Sequence, residues 1–206
     1  TINDNGGGTA SAAIDLGISC FGTCDGQATA TMAGGTSPYT YAWDDPLAQT
    51  TATATGLCAG TWTVTITDNV GCVSSASVTF TEPALLVLTP SSVDVTCNLG
   101  GDGSVDVVVA GGTPPYTYDW IDQATSFSVG TTAGVTGLPA GNYCATVTDF
   151  NGCADQVCVT VNEPPAIVIT TSVTDANCGL SDGQACVTIV SGGVAPITFV
   201  WDDAGA

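Results

Sequence analysis

An internal repeat constrains this chain more than any other feature of its sequence. Gly-Gly-Thr-Ser-Pro-Tyr-Thr-Tyr-Ala-Trp (Gly34 to Trp43) returns as Gly-Gly-Thr-Pro-Pro-Tyr-Thr-Tyr-Asp-Trp (Gly111 to Trp120), and more loosely between Gly192 and Trp201. Thr55-Gly56-Leu57 returns 81 residues later as Thr136-Gly137-Leu138, Gly71-Cys72 as Gly152-Cys153, and Glu82-Pro83 as Glu163-Pro164. A fixed period of this kind marks an array of like modules, here roughly two and a half of them. The spacing divides the chain into 1–16, resembling the terminal hairpin of a unit, a first repeat domain at 17–83, a second at 84–164, and the N-terminal half of a third at 165–206.

Within a unit the apolar period is two. Thr61-Trp62-Thr63-Val64-Thr65-Ile66-Thr67 alternates Thr with apolar residues, as a strand with one buried face does. Asn151-Gly152 marks a hairpin turn before Val157-Cys158-Val159-Thr160-Val161. Six or seven such runs per unit, bounded by Gly, Pro, Asn or Asp and with no helical period, predict an all-β chain of tandem immunoglobulin-like antiparallel β-sandwiches with disulfides. Trp43 and Trp120 recur in phase with a strand and are read as core anchors. Each Glu-Pro linker runs almost directly into the next apolar stretch, so the expected array is a stiff rod.

The string Cys-(five residues)-Gly, Gly-Gly-Thr-Pro-Pro-Tyr-Thr-Tyr-x-Trp, Thr-Gly-Leu-x-Ala-Gly-x-Tyr, Val-Thr-Asp-x-Asn-Gly-Cys and Glu-Pro resembles the SprB-type repeat of very large surface adhesins of gliding bacteria. The resemblance covers nearly the whole chain. It implies a tandem array exported to the bacterial cell surface and serving adhesion or surface motility. It supplies no catalytic residue and no ligand.

Composition then removes several classes of function. The chain has 19 acidic residues and no Lys, Arg or His, a formal charge of −19. No side chain can neutralise a phosphate, which argues against nucleic acid as a partner. Catalytic triads with His, Schiff-base lysines and imidazole zinc ligands are excluded, so a non-enzyme is expected. No apolar run is long enough for a membrane helix, so no membrane insertion is expected. The first residue is Thr1 and no signal peptide is visible, as in a mature or excised fragment.

Ten Cys in so acidic a chain fit disulfides in an extracellular setting. Cys20 and Cys72 occupy the positions of Cys97 and Cys153 in the next unit, which predicts a shared bridge within each unit, Cys20–Cys72 and Cys97–Cys153. Cys24 and Cys58 occur only in the first unit and Cys144 and Cys158 only in the second, which predicts Cys24–Cys58 and Cys144–Cys158. Cys178 and Cys186 are left without the usual hairpin partner, and if residues 1–16 complete the half-unit of a neighbouring copy they would bridge each other around Asp182-Gly183.

Asp25, Asp102 and Asp182 precede Gly in each unit, and Asp68 and Asp149 precede the hairpin turn. Asp is first of all a turn former. Adjacent loop carboxylates also make Asp44, Asp45, Asp202 and Asp203 weak candidates for calcium, and no other cofactor is expected. The runner-up to a structural or adhesive array is an array of carbohydrate-binding modules, with Tyr39 and Tyr116 as sugar platforms for surface glycans; burial of Tyr39, Tyr116 and Tyr118 would remove them. A two-carboxylate hydrolase ranks last, because the same acids recur at turns.

The ends of the chain leave two readings open. Thr1 to Gly8 matches Thr65 to Cys72 with Gly8 at the Cys position, and 165–206 covers half a unit. Either the chain is a window on a longer array, or residues 1–16 complete the half-unit of a neighbouring copy and build a head-to-tail fibre by strand addition. In the second case Ile2, Ala12, Ile14 and Leu16 would be buried in the neighbour's core.

Overall fold

The structure, a computed structural model, describes residues 8–201, and among these every regular element is a β-strand. The first repeat comprises β1 (Thr9–Leu16), β2 (Gly26–Ala33), β3 (Thr40–Trp43), β4 (Thr53–Leu57), β5 (Gly60–Thr67) and β6 (Val73–Phe80). They form two three-stranded sheets, β1-β2-β4 and β3-β5-β6, with every pair antiparallel.

Alternation puts one face of each sheet inside. Val64 and Ile66 of β5 are fully buried, while the threonines between and beside them stay half-exposed. The first sheet contributes small residues to the core, Ala28, Ala30 and Ala54 with Leu57. The second contributes the bulk, Trp43, Val64, Ile66, Val78 and Phe80. Small residues opposite large ones let the layers close without voids.

The second repeat comprises β7 (Val87–Val93), β8 (Gly103–Ala110), β9 (Thr117–Asp122), β10 (Ser128–Gly130), β11 (Gly134–Leu138), β12 (Gly141–Thr148) and β13 (Ala154–Val161). Its sheets are β7-β8-β11 and β10-β9-β12-β13, the same order with one added edge strand. β10 lies in a stretch four residues longer than its counterpart, Trp120 to Thr136 against Trp43 to Thr55. The third repeat contributes the antiparallel pair β14 (Val168–Thr174) and β15 (Gln184–Ser191). There Trp201 is 54% exposed, whereas its counterpart Trp120 is fully buried.

Packing divides the chain into two compact units whose boundaries do not follow the repeats. The first takes in the chain as far as Leu88 together with Val109–Thr117 and Val147–Asp155. The Gly111-Gly112 turn and the β12–β13 hairpin tip of the second repeat therefore belong with the first repeat. The second unit takes in Thr89–Val108, Tyr118–Thr146 and the chain from Gln156 onward.

β1 differs from expectation. Instead of forming a terminal hairpin of a preceding unit, Thr9–Leu16 pairs with β2 from Thr9↔Ala33 to Leu16↔Gln27 and packs against β6. Ala12 lies against the core of its own sandwich, Ile14 and Leu16 are about half exposed, and Ile2 lies outside the described residues. The physical reason is register. Leu16 reaches Cys20 in four residues just as Val93 reaches Cys97, and Ile18 is buried as Val95 is, so β1 is the counterpart of β7 and is already used in its own sheet.

Candidate functional site at the repeat junction

Two structures recur, a loop after the first strand in all three repeats and a tip made of a turn and a hairpin in the first two. The loop carries Cys20 in the first repeat, Cys97 in the second and Cys178 in the third. In each, an Asp a few residues on holds the backbone just before the cysteine. Asp25 Oδ1 accepts from Ser19 N (3.1 Å), Asp102 Oδ1 from Thr96 N (3.0 Å) and Asp182 Oδ1 from Asn177 N (2.7 Å). Thr96 Oγ1 and Asn177 Nδ2 add side-chain bonds of 2.6 Å to the second oxygen of Asp102 and Asp182. These donors hold all three carboxyls below the usual carboxylate range: Ser19 for Asp25, Thr96 for Asp102 and Asn177 for Asp182. The linker glutamate ties down the far side of the loop, Glu82 accepting from Gly22 N (2.6 Å) and Glu163 from Leu99 N (2.7 Å).

The tip is organised by a second carboxylate. Asp149 Oδ1 accepts from Asn151 N and Cys153 N, both at 2.9 Å, and Oδ2 from Thr113 N at 2.8 Å. Asp68 repeats the arrangement with Val70 N (3.0 Å), Cys72 N (2.8 Å) and Thr36 N (2.9 Å). Both are about 95% buried with no cation nearby, and they stay ionised because backbone N–H groups surround them. Burial works to raise the Asp149 pKa, and the donors led by Thr113 and Cys153 outweigh it. The Thr36 N–H leads in lowering that of Asp68.

In the first unit loop and tip meet. Cys20 is disulfide-bonded to Cys153, with Cα atoms 5.8 Å apart. Asn151 Nδ2 donates to Ser19 O at 2.9 Å, and Gly112 N donates to Ala84 O of the linker at 2.8 Å. Gly111 has φ +71°, and a Cβ there would fall on the carbonyl oxygen of Leu85, so only glycine allows this approach. An open groove of about 400 Å³ remains between Phe21, Leu85, Leu86 and Asp155.

This bridge replaces the expected Cys20–Cys72 and Cys97–Cys153 pairs. Cys20 lies at the Leu16/Gly26 end of the first sandwich and Cys72 at the Thr9/Ala33 end, where Ala10 N donates to Ser74 Oγ. Eight residues of strand separate the two ends, roughly 25 Å, far beyond the reach of a disulfide. The hairpin cysteine is therefore placed to meet the loop of the preceding repeat, and Cys72 and Cys97 are free thiols. Cys24–Cys58 and Cys144–Cys158 are bonded. Cys178 and Cys186 are not bonded: Cys178 sits in the loop held by Asp182, whereas Cys186 lies within β15 opposite Ser172, away from the turn.

Among the described residues, the remaining candidates make hydrogen bonds within the sandwich. Asp45 is buried and accepts from Leu47 N, Gln49 N and Gln49 Nε2; burial raises its pKa, and these bonds, Gln49 first, bring it below the usual range. Asp44 Oδ1 accepts from Thr63 N, and Asp202 and Asp203 lie outside the described residues. Tyr39 and Tyr116 are half-buried, with hydroxyls donated to Gly34 O (2.9 Å) and Gly111 O (2.6 Å); Tyr118 is half-buried as well. Sequence reasoning missed one anchor. Tyr143 is buried with its hydroxyl on Pro139 O (2.9 Å), and Trp62 takes the same place with Nε1 on Cys58 O (2.9 Å). The Ala-Gly-x-Tyr/Trp string that recurs in both repeats was the available signal.

The SprB repeat model matches residues 18–48, 89–125 and 170–206, each match spanning a cysteine loop and a Gly-Gly turn. The chain belongs to the SprB repeat family. The three matches fall one per repeat, so the junction joins one SprB unit to the next. No curated protein matches the chain. Among solved structures it is similar to the N-terminal eight Ig domains of Down Syndrome Cell Adhesion Molecule (DSCAM) isoform 1.30.30, at 14% identity and a TM-score of 0.45, covering 88% of this chain and 28% of that one. It is also similar to a tetra-tandem repeat in the extending region of a large adhesion protein, at 16% identity and a TM-score of 0.28, covering 89% and 63%. The chain thus spans less than two thirds of either structure.

Proposed function

We propose that this SprB chain is a segment of a non-enzymatic, extracellular adhesive array on a bacterial surface, in which each repeat is locked to the next by its cysteine loop and hairpin. The observation that carries the reading is the Cys20–Cys153 disulfide, which spans two repeats instead of closing one. A covalent lock between successive modules resists pulling and suits a load-bearing, oxidised, extracytoplasmic protein. The loop carboxylate of every repeat and the tip carboxylate of the first two are engaged by backbone donors, a use that favours scaffold over hydrolase. The hydroxyls of Tyr39 and Tyr116 are engaged too, donating to the backbone carbonyls of Gly34 and Gly111, which weakens the sugar-platform reading. The net charge of −19 keeps neighbouring arrays apart and makes their spacing sensitive to divalent cations.

Growth into a surface fibre fits the same junction, repeated along the array. β1 would not be the donor, since its own sandwich uses it. The test compares cells displaying the array with cells from which these repeats are deleted, scored for attachment to glass and to polysaccharide. Loss of attachment to both supports the reading. Unchanged attachment overturns it, and loss on polysaccharide alone favours the carbohydrate-binding alternative.

A further inference from the structure

Two thiols are left on fully built halves of the junction. Cys97 is exposed on a loop set as that of Cys20 is: Asp102 takes the place of Asp25, and Glu163 accepts from Leu99 N as Glu82 does from Gly22 N. Beside it the third repeat supplies its Gly-Gly turn. Gly193 N donates to Pro165 O (3.2 Å), and a Cβ on Gly192 would fall on Ala166 O, as one on Gly111 would on Leu85 O. Asn98 Nδ2 donates to Pro164 O, and an open groove of about 430 Å³ lies next to Cys97. By the 81-residue period the matching hairpin of the following repeat would carry its cysteine 81 residues past Cys153.

Cys72 is the converse case. Its hairpin is held by Asp68 in the arrangement that Asp149 gives Cys153, and its thiol is half-buried and unbonded. The same pair of positions is bonded in this molecule, loop Cys20 to hairpin Cys153.

We infer that Cys72 and Cys97 are the outgoing halves of the same inter-repeat bridge: Cys97 bonds the hairpin cysteine of the following SprB repeat, and Cys72 bonds the loop cysteine of the preceding one. The inference rests on the tandem-array reading above. In each bond two thiols lose two protons and two electrons and form one S–S bond. The electrons pass to a disulfide oxidant, a protein or small-molecule disulfide that is reduced to two thiols, by thiol–disulfide exchange. The result is a ladder of one such bridge per junction.

The test uses the native surface protein, blocked with iodoacetamide before unfolding, cleaved without reduction and mapped by mass spectrometry. Expected are a Cys97 peptide joined to a peptide with a Gly-Cys hairpin sequence and a Cys72 peptide joined to a loop cysteine, both partners lying outside these 206 residues. Either cysteine recovered alkylated, or Cys72 and Cys97 joined to each other, to Cys178 or to Cys186, would overturn it. Cys97→Ser should expose one new alkylatable thiol, on the following hairpin; no gain of a thiol likewise overturns it. Electrophoresis with and without reductant separates two supporting outcomes. Unchanged size places the partner in the same chain, and multiples that collapse on reduction place it in a second copy. Attachment assays read the adhesive role independently, so an adhesive array with free thiols fails this inference alone.

Discussion

Cys20 and Cys153 are 133 residues apart in sequence and joined by a disulfide whose Cα atoms are 5.8 Å apart. This one bond ties the first loop of one repeat to the last hairpin of the next. Replacing both with Ser should lower unfolding stability by about 2–4 kcal/mol. Urea unfolding under non-reducing conditions checks it, and an unchanged midpoint would mean that the bridge carries no load.

The glycine turn makes a sharper mechanical prediction. Gly111→Ala must hold a side chain at φ +71° and push against Leu85 O, so it should cost at least about 2 kcal/mol. Gly101→Ala is the control, because a Cβ there meets nothing within 4 Å and its φ is not in the left-handed region. Thermal unfolding of the two variants should separate them clearly.

Acid sensitivity follows from the buried carboxylates. Asp149 and Asp68 have folded-state pKa values below those of the unfolded chain, so protons bind the unfolded state better. Their stabilisation is present in full above the unfolded value near pH 4 and is lost as pH falls through the lower folded values. Urea midpoints should therefore be flat near neutrality and drop below about pH 4. Asp149→Asn should lower the midpoint at pH 7, since an amide cannot accept from all three donors, and should flatten the acid drop.

Much of this fold was legible because alternation and repetition are local. Val64 and Ile66 are buried in the phase that the Thr pattern requires, and Trp43 and Trp120 lie in the cores. Cysteines present in one repeat only, such as Cys24 and Cys58, leave few partners to choose from. Cys20, Cys72, Cys97 and Cys153 recur in both, and recurrence fits a bridge within a repeat as well as one between repeats. What decides is that loop and hairpin lie at opposite ends of a sandwich, a fact of topology that spacing does not carry. The placement of β1 was missed for a related reason: Thr1–Gly8 matches a hairpin in composition, while the better guide, Leu16 to Cys20 against Val93 to Cys97, spans only four residues.

The core of the second repeat should depend on Trp120, which is fully buried with Nε1 donating to Ala133 O. Trp120→Ala should cost about 3–5 kcal/mol by opening a cavity and orphaning that carbonyl. Trp201→Ala, at a position 54% exposed in this chain, should cost far less. Circular dichroism melts of both variants make the comparison.

The most direct measurement is a disulfide map of the 206-residue chain. With no Lys or Arg, trypsin cannot cut it, so cleavage would use an Asp-directed protease and chymotrypsin, which separates Cys20 from Cys24 at Phe21. A bridge between repeats requires the Cys20 peptide to be linked to the peptide holding Asn151-Gly152-Cys153, with Cys72 recovered as an alkylated thiol. A Cys20–Cys72 linked pair would contradict it and return each repeat to closing on itself.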